Sequence, residues 1–129
     1  MAFLESRTVT IANGAATSSA VTCTSMKGAS LVGVIIGATT DQVTLDAAAW
    51  TAADIIFLAS ADGNAYADLK TAAGVPLRLS SVTAGDWFAL DPADFAGAAY
   101  LKLVSVTAGT TTTANQGAQR TLTLLYKEV

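Results

Sequence analysis

The feature that most constrains this chain is its period. Apolar side chains recur at every second residue in short runs, and each run ends in small or turn-forming residues. Such alternation suits a strand with one buried face rather than a helix. Arg7-Thr8-Val9-Thr10-Ile11 alternates and gives way to Asn13-Gly14, a pair that tolerates a tight turn. The same reading places strands over residues 19–24, Ser30–Ile36, Asp54–Ser60, 66–69, 75–80 and 87–90, and two final ones over 99–106 and 119–127. Asp62-Gly63-Asn64 opens a hairpin and Ala84-Gly85-Asp86 a second turn. Asp91-Pro92-Ala93-Asp94-Phe95 predicts one helical turn, with Asp91 as cap, Pro92 at the first position and Gly97 at the end. Residues 46–53 predict a helical turn or a loop pinned by Trp50, and residues 107–117 a loop rich in Thr, Gly and Asn without an apolar anchor.

Eight or nine strands with turns every ~8–12 residues and no amphipathic helix define an all-β chain, an antiparallel β-sandwich. A jelly roll is the first expectation and an immunoglobulin-like sandwich the second. A length of 129 residues fits one domain spanning 1–129, with residues 1–6 as an N-terminal arm. A chain of this size builds its own core without disulfides or metal.

Composition narrows the chemistry. There is no histidine and a single cysteine, so the common catalytic triads and the usual zinc sites lose their central member. Cys23 has only hydroxyls beside it and reads as an inert, half-buried thiol. Asp91 and Asp94 read as cap and first-turn acid, Asp62-Gly63-Asn64 as a turn rather than a calcium loop, and Asp41 and Asp46 as unpartnered surface acids. Gly33 and Gly37 interrupt an apolar strand without a following Gly-Lys-Ser/Thr, which marks a bulge or a close approach between sheets rather than a phosphate cradle. Enzymatic activity and cofactors are not expected. The aromatics Trp50, Tyr66, Trp87, Phe88 and Tyr100 are candidates for a sugar-binding face, with Trp50 or Trp87 as the stacking platform. Trp87 and Phe88 are adjacent, so an extended segment turns them to opposite faces.

The seven Lys and Arg are spread singly and the net charge is −3, which disfavours nucleic acid as a partner. The longest apolar run, residues 31–38, is far shorter than the ~20 residues of a membrane span. The opening Met1-Ala2-Phe3-Leu4-Glu5-Ser6-Arg7 does not read as a secretion signal, so synthesis in a cytoplasm is expected. Charged residues make up 13%, against about 25% on average, a shortage that points to surface covered by other subunits.

Two longer stretches carry a resemblance. Ala48-Ala49-Trp50-Thr51-Ala52-Ala53-Asp54-Ile55-Ile56-Phe57 with Ala59-Ser60-Ala61-Asp62-Gly63 is the first. Ala89-Leu90-Asp91-Pro92-Ala93-Asp94-Phe95-Ala96-Gly97, Tyr100-Leu101-Lys102-Leu103, Asn115-Gln116 and Arg120-Thr121-Leu122-Thr123-Leu124 form the second. Together they resemble small structural proteins encoded by tailed phages and prophages. The resemblance implies a virion component, and no functional residue can be carried over from it. The leading expectation is a capsid decoration (cement) protein on the capsid surface, made in the host cytoplasm, homo-oligomeric with a trimer favoured, and bound to the major capsid protein or other virion proteins. The alternatives are a head-fibre, neck, spike-base or tail component, or a carbohydrate-binding module for host attachment. The residues expected to make contacts are Phe3, Leu4 and Arg7 near the start, and Thr110, Thr112, Asn115 and Gln116 in the 107–117 loop.

Overall fold

The computed structural model describes residues 4–24, 28–37, 50 and 54–128. The described chain is nearly all β: β1 (Leu4–Ile11), β2 (Val21–Thr22), β3 (Ser30–Ile36), β4 (Asp54–Ser60), β5 (Ala67–Asp68), β6 (Arg78–Leu79), β7 (Trp87–Ala89), β8 (Tyr100–Val106) and β9 (Arg120–Lys127). They form two antiparallel sheets, which do not close into a barrel. One has the order β1-β9-β3-β7, the other β2-β8-β4-β5, with β6 also on β4.

The pairing is concentric. β1 lies against β9, β2 against β8, β3 against β7 and β4 against β5. Successive pairs fall in alternate sheets, and the contacts of β9 with β3 and of β8 with β4 join them.

Period two then builds the core. From the first sheet Val9, Ile11, Leu31, Val34, Ile36, Leu122 and Leu124 face inward; from the second come Val21, Ile55, Phe57, Leu79, Leu101 and Leu103. Each such side chain contributes about 1.5–3 kcal/mol on burial. The short 3-10 turn Pro92–Phe95 is capped as expected, Asp91 accepting a hydrogen bond from the Ala93 N–H, and it lays Phe95 edge-on against Phe57 at 5.5 Å. Tyr126 is buried and its hydroxyl donates to the Thr22 carbonyl at 2.8 Å, tying the sheets together; burial pushes its phenol up to about 12.

Several expectations are refined. Leu4 to Ser6, within the expected N-terminal arm, form the first rungs of β1, and residues 1–3 lie outside the described residues. Ladder pairing over 19–24 shrinks to Val21–Thr22, with separate bridges at Thr17 and Thr24. The strand expected over 75–80 pairs with β4 only at Arg78–Leu79, because residues 69–77 fold back as a hairpin in which Leu77 donates to Leu69. A register shift between Leu31 and Gly33 is the expected bulge, so Leu31 and Val34 both reach the core although they lie three apart. The close approach at Gly33 is to Trp87 on the outer face, not between the sheets. The turn expected over 46–53 lies outside the described residues, apart from Trp50, which is buried under the Arg120 guanidinium.

Candidate interaction surface

Two exposed loops flank an open groove of about 690 Å³ lined by Val75, Pro76, Arg78, Gly109, Thr110, Thr111 and Thr112. One wall is the tip of the 69–77 hairpin. Thr71 donates to Val75 at 2.8 Å and Gly74 to Thr71 at 2.9 Å, which closes the tip and turns Val75 outward, 55% exposed.

The other wall is the threonine loop. Thr107 donates to Thr112 at 2.9 Å, the Thr110 N–H and hydroxyl both donate to the Thr107 carbonyl, and Thr112 donates to the Thr110 hydroxyl. Gly109 takes φ +75°, a conformation that a side chain would strain. The Thr110 hydroxyl and the backbone bonds around it therefore stabilise the loop that the sequence left without an anchor.

Arg78 in the lining belongs to an ion pair behind the groove. Asp54, buried at the head of β4, accepts from Arg78 at 2.9 Å and from the N–H groups of Ser81 and Gly109 at 2.9 and 3.0 Å. Arg78 also donates to the Thr110 carbonyl at 2.6 Å. Burial alone would raise the Asp54 carboxyl, but the two amides and the Arg78 guanidinium outweigh it and hold it below the usual carboxylate range. Ser81, a non-glycine residue at φ +53°, is kept in that strained conformation by its bond to Asp54. Sequence reading missed this pair because Asp54 and Arg78 lie 24 positions apart in separate runs. An acid at the head of an apolar strand was the one available signal.

The expected contact residues scatter. Thr110 and Thr112 line the groove, and Asn115 is exposed elsewhere in the loop. Gln116 is an interior residue, 1% exposed, and accepts a hydrogen bond from Arg120. Arg7 bridges the sheets, donating to the Thr22 hydroxyl at 2.9 Å and lying over the Tyr126 ring. Leu4 starts β1 opposite Lys127, and Phe3 lies outside the described residues, as do Asp41 and Asp46.

The other candidates resolve locally. Cys23 is buried, and desolvation pushes its thiol up to about 11. The Asp62 carboxylate accepts from the Asn64 and Ala65 N–H groups and from the Ser60 hydroxyl, which lowers its pKa and closes the turn. Among the described residues no three His, Cys, Asp or Glu side chains gather as a metal site, and no helix is long and apolar enough to cross a membrane. The chain matches no family model, no curated protein and no solved structure.

Proposed function

We propose that this chain is a structural protein of a tailed-phage virion, a decoration protein that docks on the major capsid protein and works as a homo-oligomer, with a trimer the expected form. The observation that carries the reading is the concentric strand order. Pairs β1·β9, β2·β8, β3·β7 and β4·β5 in alternating sheets support a jelly-roll reading, an architecture that viral capsid and lectin domains share. The phage-like sequence stretches favour the first of those classes.

The groove supports the same reading. Its lining holds a valine, a proline, a glycine and three threonines, and its one cation, Arg78, is already engaged by Asp54 and Thr110. A neutral, pre-ordered rim of this kind loses little entropy on docking, and repetition over a shell multiplies weak contacts.

The test is the copy number per purified virion, by quantitative mass spectrometry against the major capsid protein. Hundreds of copies in fixed ratio to the capsid subunit support decoration. A few to a few tens replace it with a head-fibre, neck, spike-base or tail position, and absence from virions overturns the virion reading. Val75→Asp should abolish attachment to undecorated shells while leaving the melting temperature unchanged.

A further inference from the structure

Trp87 is the other large hydrophobic residue exposed among the described ones, 58% exposed on β7 at an edge of the first sheet. It stands opposite Ile35 and is packed over Gly33. A Cβ on Gly33 would come within 3.1 Å of the indole Nε1 and 3.2 Å of the Phe88 carbonyl oxygen. The missing side chain is what lets the indole rest one side on the sheet. Its other side is left to solvent.

The apolar area offered here is small. Ile35 and Leu125, which share this face, are 2% and 3% exposed and Val32 beside them is half-buried, so most of the accessible apolar surface is the one indole. That is about 100–150 Å², since a whole aromatic side chain presents about 150–250 Å². A stable protein interface needs roughly 800 Å² per partner. One indole face matches a single ring instead.

The edge beside it is polar. Ile36 donates to the Asp86 carbonyl and Leu90 to the Val32 carbonyl, both at 2.9 Å, while Phe88 stands opposite Val34. By the alternation of an antiparallel ladder, the main-chain groups of Trp87 and Ala89 turn the other way, off the sheet edge. Among the described residues no strand pairs with that edge.

We propose that Trp87 is the stacking platform of a carbohydrate site that takes one pyranose ring. The C–H face of the sugar would lie on the electron-rich face of the indole, and the outward N–H and C=O groups of Trp87 and Ala89 would meet its hydroxyls. Trp50 is not such a platform, because its ring is buried beneath Arg120. The site is independent of the virion reading. On a particle, many copies would turn a millimolar sugar affinity into firm adhesion.

The experiment titrates the full chain with methyl β-galactopyranoside, N-acetylglucosamine and methyl α-mannopyranoside to tens of millimolar, reading acrylamide quenching of tryptophan emission. Quenching reports Trp87 selectively, because Trp50 is shielded. At least one sugar should protect Trp87 from quencher in a saturable way. Trp87→Ala should then weaken binding about tenfold or more, with an unchanged melting temperature. Trp87→Phe should retain part of it. Three results overturn the proposal: no protection by any of the sugars, binding unaffected by Trp87→Ala, or Trp87→Ala converting an oligomer into monomers, which would make the indole a protein contact.

Discussion

The Asp54 carboxylate holds together segments that meet nowhere in sequence: β4, Arg78 at the foot of the hairpin, and Gly109 in the threonine loop. Removing Arg78 leaves the buried carboxylate with its two amide donors alone, so Arg78→Ala should cost about 2 kcal/mol in urea unfolding at neutral pH. The folded-state pKa of Asp54 lies below its unfolded value. The contribution of the pair is therefore full above the ordinary carboxylate pKa of about 4 and is lost as the pH falls through the folded value. The gap between wild type and Arg78→Ala should narrow on acidification; a gap that stays constant would contradict the assignment. Cys23 gives a second check. Its buried thiol should ignore a disulfide reagent at mildly alkaline pH and react only on unfolding, whereas fast native labelling would mean that the site opens. The inert thiol and the Asp91 cap were legible in the sequence because both depend on near neighbours. Gln116 and Asp54 were not, because their partners are set by the path of the chain.

Strands with bulky residues on alternate or successive positions, Ser30–Ile36 and Asp54–Ser60, stand where the pattern puts them. The short ones do not. Residues 19–24 and 75–80 consist largely of Ala, Thr, Ser, Val, Leu and Pro, whose alternation says little about how many rungs find a partner. Pro76 lacks an N–H and instead forms a lone bridge with Lys70 as the hairpin turns away. At the bulge in β3 the glycine is a packing requirement. Gly33→Ala would press a methyl group between the indole and the Phe88 carbonyl, and the carbonyl belongs to backbone that cannot swing aside. We expect a loss of about 1–3 kcal/mol from overpacking. Trp87→Ala in the same chain should relieve only part of it, a coupling that a double-mutant cycle in urea would read directly.

Over the whole molecule, the all-β class was legible from turn spacing, while the order of strands was not, since periodicity marks a buried face and never names the neighbour. That order has kinetic consequences. Leu4 pairs with Lys127 and Val21 with Leu101, so the outermost pair closes a loop nearly as long as the chain and the next one a loop well over half of it. Folds dominated by such distant contacts form in milliseconds to seconds. Refolding from urea, followed by the shielded emission of Trp50, should fall in that range; a microsecond phase carrying the full amplitude would argue against the pairing. The place of β9 matters further for how the protein is made. It is synthesised after the other eight described strands, yet it lies between β1 and β3 and pairs with both. During translation β1, whose one partner among the described strands is β9, must wait with its inward side chains uncovered until β9 emerges. A chain that stops short of β9 would thus yield a sheet split down its middle rather than one trimmed at an edge.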